Sequence, residues 1–314
     1  MNLSLLVQVY NGGVYWQECL DSIQANLDIF DAVYVSIGKS RIQQEDIALL
    51  QALHSDKLHF IVQDRDMSSV DHGKRLDRWV GSFHPKGHIF ILCHDDILQR
   101  EGLLKLKELE LTEHDAVFGS FRFFSDDGSS REMTVREFYR ENGPIEKDEF
   151  IFLQDQQQFT YNISGMVLPG QLYSDVDPLP WHLLKYGCFS ECTHLVHPMI
   201  RRIYQIPIPT VKIRRHSGSE GAKMRLSDLR YDSLLYHLCA FTVARRPEVK
   251  TFQTRSVLYL IALSPFCGFW NFLLLQFRLM KIDFYYPDSL KIYGYILSII
   301  WQKLKNRLKR SVTG

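Results

Sequence analysis

The chain has 314 residues, 46% hydrophobic and 23% charged, which is ordinary globular composition and enough length for one large domain or a domain with an appendage. The net charge of +1 is unevenly spread: Ser289–Gly314 holds six Lys/Arg and no acid, leaving −5 for residues 1–288. An acidic body argues against nucleic-acid binding by that body, and six scattered cysteines with no CxxC pair fit reduced thiols in a cytosolic protein better than a disulfide framework.

The opening, MNLSLLVQVYNGG, has no basic leader segment and reads as a first strand, Leu3–Val9, ending in a tight Asn-Gly-Gly turn. Trp16, Cys19, Leu20 and Ile23 then recur at helical spacing. Ala32–Ile37 reads as a second strand, Ile42–Leu53 as a helix and Leu58–Val62 as a third strand. Lys74–Phe83 reads as a helix and His88–Leu92 as a fourth strand. Short apolar strands alternating with helices predict an α/β fold with a mainly parallel sheet. In such sheets ligands bind beyond the carboxyl ends of the strands. Asn11, Gly38, Asp95 and Asp96 lie at such ends.

Beyond Asp115 the pattern changes. Ala116–Phe124 reads as a strand entering the turn Ser-Asp-Asp-Gly-Ser. Residues 130–160 are polar and irregular, and Asn162–Leu168 is small and apolar. Trp181–Ile203 reads as largely helical, with Pro198 as a break. Ile208–Ile213 reads as a strand leading into Arg214-Arg215-His216. No internal repeat or low-complexity tract is present.

The run ILCHDDIL places two carboxylates at a strand end. Hard oxygen ligands there suit Mg²⁺ or Mn²⁺, and such an ion would neutralise a diphosphate. The plainer alternative is that Asp96 caps the helix beginning near Arg100. Cys188, Cys192, His194 and His197 lie within ten residues, but their spacing fits no closed zinc site, and the two cysteines suit a helix core.

Five segments in order resemble a family-2 glycosyltransferase of the A-type fold: LLVQVYNGGVYWQECLDSI, ILCHDDIL, DAVFGSFRFFSDDGS, ISGMVLPGQLY and IRRHSGSEG. The resemblance covers residues 1–220. It implies a Rossmann-like, mainly parallel sheet in a catalytic domain over 1–225, with a nucleotide half (1–100) and an acceptor half (101–225). A helical, membrane-associating extension follows over 226–314. It further implies Asp95 as the metal-binding carboxylate with Asp96 beside it, His216 at the metal or diphosphate, and Arg214 at the phosphates. Tyr10 and Asn11 fall on the turn that contacts base and ribose. Lys74 and Arg75 can reach a diphosphate from their helix, or simply form its solvated face. Cys93 stands where the first Asp of the family's motif sits, and Ser36-Ile37-Gly38 where an Asp often meets the base. The family's Glu-Asp pair corresponds to Glu191-Cys192, so Glu191 becomes the candidate base, with Asp175 and Asp177 in reserve. A helix-start role for Glu191 is the alternative.

Ser256–Phe277 is free of charge but interrupted by Pro265, Gly268 and Asn271. Ser289–Arg310 carries an isoleucine stripe beside its bases, a pattern suited to a membrane interface, with a buried helix pair as the alternative. The resulting expectation is an inverting, Mn²⁺- or Mg²⁺-dependent glycosyltransferase using a nucleotide-sugar donor and a lipid-linked saccharide acceptor. It would sit on the cytoplasmic face of the cell membrane and could form a homo-oligomer. The alternative is a catalytically weak or inactive sugar-nucleotide-binding subunit of a polysaccharide assembly complex, which Cys93 and Cys192 favour.

Overall fold

The computed structural model describes residues 1–125, 130–133, 144–155, 162–174, 183–185, 194–216, 226–263, 270–275, 298 and 301. The chain divides into two compact units, Met1–Asp177 with Pro198–Lys223, and Pro178–His197 with Met224–Gly314.

The first unit begins with β1 (Leu3–Val9), α1 (Gly13–Gln24), β2 (Ala32–Ile37), α2 (Gln43–Gln51), β3 (Leu58–Val62), α3 (Ser69–Gly81) and β4 (His88–Cys93). There follow β5 (Ile97–Leu98), α4 (Arg100–Lys107), β6 (Asp115–Ser125), β7 (Ser130–Met133), β8 (Ile145–Glu146), α5 (Lys147–Asp155), β9 (Met166–Pro169), α6 (Gln171–Ser174) and β10 (Arg202–Arg215). Among the described residues ten strands form one sheet in the order β3-β2-β1-β4-β9-β6-β10-β5, with β7 beside β6 and β8 beside β10. Strands β1 to β4 pair in parallel, as do β6 and β10; β9 runs antiparallel to both β4 and β6. The sheet is therefore mostly parallel through its α/β half, and the carboxyl ends of β1, β2, β3 and β4 share one edge.

Alternation along the strands assigns each face its helices. Leu3, Leu5, Val7 and Val9 join Val33, Val35 and Ile37 in one core with Trp16, Cys19, Leu20 and Ile23 of α1. Each such buried side chain is worth roughly 1.5–3 kcal/mol over its exposed state. On the opposite face Tyr34 and His59 meet Trp79 and Phe83 of α3, with ring centroids 5.1–6.1 Å apart. Helices thus cover both faces.

Two expectations need correction. Helix α3 begins at Ser69, ahead of Lys74, because Ser68 accepts a hydrogen bond from the Asp71 N–H at 3.1 Å and caps the first turn. Strand β10 spans 14 residues, so Arg202–Ile203 are extended where a helix was expected. Its prolines fall at or beside shifts in pairing register between Ile206, Pro209 and Val211, positions where a missing N–H is tolerated.

The second unit holds α7 (Leu226–Val243) and α8 (Pro247–Leu263), which pack together. From Tyr231 to Phe241, α7 is buried nearly all round. Asp232, also buried, accepts a hydrogen bond from the Lys185 N–H at 2.9 Å. Among the described residues no helix is long and apolar enough to cross a membrane.

Candidate functional site

The parallel pairing of β10 with β6 carries Arg214 to the level of Phe124. His216 follows at once, and its Nε2 stands 3.0 Å from Asp95 Oδ2, just past the end of β4. Both side chains are partly exposed, 19% and 17%. A sulfur from Cys93 and carboxylate oxygens from Asp95 and Asp96 lie within 4.8 Å of one another. Among the described residues this is the one group with such spacing.

Asp96 is the anchor of this corner. It is 3% exposed, and its two oxygens accept from the Arg214 N–H at 2.9 Å and the Ser164 hydroxyl at 2.5 Å. The capping alternative therefore fails: α4 starts after Gln99, with no side-chain cap. Burial, and then the charge of Asp95, push the Asp96 carboxyl above its ordinary value, while Ser164 and Arg214 draw it back. Ser164 Oγ also accepts from the Cys93 N–H at 2.9 Å, so one hydroxyl ties the end of β4 to the Asp-Asp turn. Gly165, at φ +90°, lets the chain turn after Ser164 into β9.

Arg214 is held on every side. Its guanidinium pairs with Glu18, donates to the Asp95 carbonyl at 3.2 Å, and lies 4.5 and 4.4 Å from the Tyr15 and Phe124 ring centroids. It links α1, the Asp-Asp turn and β10. Tyr15 also packs against His216, with ring centroids 5.0 Å apart and planes tilted by 51°.

The turn after β1 is fixed from α2. The wholly buried Asp46 accepts from the N–H groups of Gly12 and Gly13 at 3.2 and 2.9 Å. Asn11 adopts φ +54°, a left-handed conformation that Asn tolerates. Tyr10 is 42% exposed at this edge and donates to Asp66 Oδ1 at 3.3 Å. At the end of β2, Ser36 Oγ lies 2.7 Å from His72 Nε2 and accepts from Gln63 Nε2 at 2.7 Å. Burial, then His94 and Arg75, lower the His72 pKa to about 4. The ring is therefore neutral at neutral pH. Gly38 has no room for a Cβ, which would meet the Tyr10 ring at 2.9 Å.

Lys74 and Arg75 lie in the second turn of α3, with Asp71 3.7 Å from Lys74 and Asp64 3.1 Å from Arg75. Glu191, with Cys188, Cys192, Asp175 and Asp177, lies outside the described residues. Sequence reasoning missed Ser164, Glu18, Tyr15 and Asp46. The segments holding the first three were singled out, but nothing in them marked these side chains. Asp46 carried no signal at all.

A Rossmann-like half sheet, an antiparallel β9 inserted between β4 and β6, and an acidic turn at the end of β4 define the A-type glycosyltransferase fold. A mannosyltransferase from Pyrobaculum calidifontis, PcManGT, solved with GDP-Man and Mn²⁺, matches with TM-score 0.53 and 14% identity, over 95% of this chain and 80% of that one. Residues 1–349 of S. aureus TarS match with TM-score 0.49 and 14% identity, over 91% of this chain and 89% of that one. GalNAc-T7, solved with UDP, GalNAc and Mn²⁺, matches with TM-score 0.48 and 9% identity, over 81% and 55%. No protein-family model matches the chain, and no curated protein matches it by sequence.

Proposed function

We propose that the protein is a glycosyltransferase that takes its sugar from a nucleotide-diphosphate donor with the help of a divalent cation. The observation that carries this is the convergence of Asp95 and His216 at 3.0 Å, at the edge of the sheet where this fold class binds ligands. A carboxylate and an imidazole, with a thiol and a second carboxylate alongside, are chemically suited to a divalent ion. PcManGT and GalNAc-T7 were each solved with Mn²⁺. When bound, the ion supplies positive charge to the diphosphate as it leaves.

The roles of the chain's own residues follow from their positions. Asp95 and His216 hold the ion, and Asp96 fixes the turn behind them through Ser164 and the Arg214 N–H. Tyr10 and Asn11 present the base and ribose surface. Lys74 and Arg75 lend charge on the phosphate side. Arg214 positions Asp95 and Asp96 through its carbonyl and amide contacts, and the field of its guanidinium adds to the phosphate side. Glu191 is proposed as the base that accepts the acceptor hydroxyl's proton, with inversion at the sugar carbon. The acceptor is proposed to be a lipid-linked saccharide of bacterial surface-polysaccharide assembly. The basic C-terminal segment would rest on an anionic membrane, each base near that surface contributing about 1 kcal/mol.

A screen of nucleotide sugars for cation-dependent thermal stabilisation tests the donor assignment. A ligand at roughly 100 times its Kd adds about 2.7 kcal/mol. Stabilisation by at least one donor with Mn²⁺, absent with a chelator, is the expected result. No shift with any donor opposes the reading. Vesicle flotation of the full chain and of a chain ending at Asp288 tests the membrane part. Equal flotation would remove the basic segment as an anchor.

A second reading has one observation behind it, the thiol of Cys93 in place of a carboxylate. It makes the protein a binding subunit that holds the donor without turning it over. Cation-dependent donor binding with no transfer or hydrolysis distinguishes it.

A further inference from the structure

We propose that Cys93 is itself a ligand of the cation, and that the site favours a thiophilic divalent ion of the zinc class over Mg²⁺. This rests on the reading above that Asp95 and His216 hold a cation.

By resemblance Cys93 stands where the family has an Asp. The geometry points elsewhere. Cys93 is the last residue of β4, so its side chain emerges at the strand end instead of the sheet interior, and it is only partly buried. Its sulfur lies within 4.8 Å of ligand oxygens of Asp95 and Asp96. Donor atoms bound about 2.0–2.3 Å from one ion stand roughly 3–4.5 Å from one another, so small side-chain adjustments bring the thiol and the Asp95 carboxylate onto one ion, which His216 joins from its place 3.0 Å from Asp95. The strand end is also fixed. The Cys93 N–H donates to Ser164 at 2.9 Å, and its carbonyl lies 3.8 Å from the Cys19 sulfur. The sulfur therefore meets the carboxylates from a braced backbone.

The chemistry of the donors then sets the preference. Mg²⁺ demands near-octahedral oxygen ligation. A thiolate, an imidazole and a carboxylate form a mixed S, N, O set, which suits zinc-class ions, and affinity for such sets rises along the first-row series from Mn²⁺ towards Zn²⁺. On binding, the thiol gives its proton to solvent. Three protein ligands leave coordination positions open for the diphosphate oxygens.

The test uses the full chain and Cd²⁺ as the spectroscopic probe, because a cadmium–thiolate bond gives an ultraviolet charge-transfer band that oxygen and nitrogen ligands do not. Cd²⁺, Zn²⁺, Mn²⁺ and Mg²⁺ are titrated by calorimetry into wild type, Cys93→Ser and Cys93→Asp, with Cd²⁺ absorbance recorded in parallel. The five other cysteines remain in each variant, so the difference band reports Cys93. Wild type is expected to bind one Cd²⁺ with the band. Both variants should lose it, with Cd²⁺ and Zn²⁺ affinity falling roughly 10–100-fold, and Cys93→Asp should shift preference towards Mn²⁺ and Mg²⁺. Should Cys93→Ser fail to fold, loss of the wild-type band in Asp95→Asn carries the same information. If a cation binds with no band, and Cys93→Ser binds it equally well, Cys93 is not a ligand, while the glycosyltransferase reading keeps its ion. If no cation binds wild type, or Asp95→Asn binds as wild type does, this inference and the Asp95 assignment fall together.

Discussion

His216 and Asp95 stand 121 positions apart in the chain, and their side chains meet at 3.0 Å. The meeting depends on strand order. β4 and β10 are separated by β9 and β6, and Asp95 and His216 each follow the carboxyl end of their strand. The turn carrying Asp95 is braced by Asp96, which binds the Arg214 N–H two residues before His216. One buried carboxylate therefore sets the distance between the two groups proposed to hold the ion.

That bracing makes Ser164 sensitive. Ser164→Ala removes the hydroxyl that donates to Asp96 and accepts from the Cys93 N–H. Leaving buried polar groups without a partner costs about 1–3 kcal/mol. The urea midpoint should fall accordingly, and cation affinity should fall with it. An unchanged midpoint would show that the turn does not depend on Ser164.

His72 predicts a pH dependence. Its pKa is lowered from 6.5 to about 4 in the fold, chiefly by burial, so the fold favours the neutral ring. Between those values the unfolded chain binds more protons than the folded one. Stability from this group is complete above 6.5, is lost as pH falls towards 4, and changes no further below that. The full loss is on the order of 3 kcal/mol. Urea unfolding of wild type and His72→Gln across this range should show a flatter profile for the variant. Parallel profiles would contradict the assignment, since His88 and His94, also lowered, remain in both proteins.

The α/β half was legible because its signal is local. β1, β2 and β3 match the apolar runs read from sequence; β1 and β2 are covered on both faces and so nearly continuous in apolar residues, while β3 is apolar although it is an edge strand with Phe60 and Val62 exposed. The start of α3 was obscured by a polar first turn and by Gly73, which read as a boundary but lies inside the helix. β10 was read only as Ile208–Ile213 because the helical reading before it ran on to Ile203. The juxtaposition of Asp95 and His216 was reachable only through resemblance, because no spacing rule encodes strand order. Ser164 and Asp46 act through hydrogen bonds to groups distant in the chain, which no periodicity reports.

Gly119 tests the packing of the sheet's centre. A Cβ there would overlap Thr210 Oγ1 and come within 2.6 Å of its Cγ2. Gly119→Ala should therefore destabilise by about 1–3 kcal/mol. Thr210→Ala removes both atoms, so the double variant should regain part of that loss. If the two single losses simply add, the contact does not limit the position.

The central claim is that Asp95 holds a cation which in turn holds a nucleoside diphosphate. The most direct measurement is calorimetric titration of UDP and GDP into wild type and Asp95→Asn, with Mn²⁺, with Zn²⁺ and with a chelator. The account predicts that at least one nucleotide binds wild type with a cation, and that the chelator abolishes this. It predicts that Asp95→Asn, with an unchanged melting temperature, loses the binding too. Nucleotide binding that survives both the chelator and Asp95→Asn, or no binding with either ion, would contradict it.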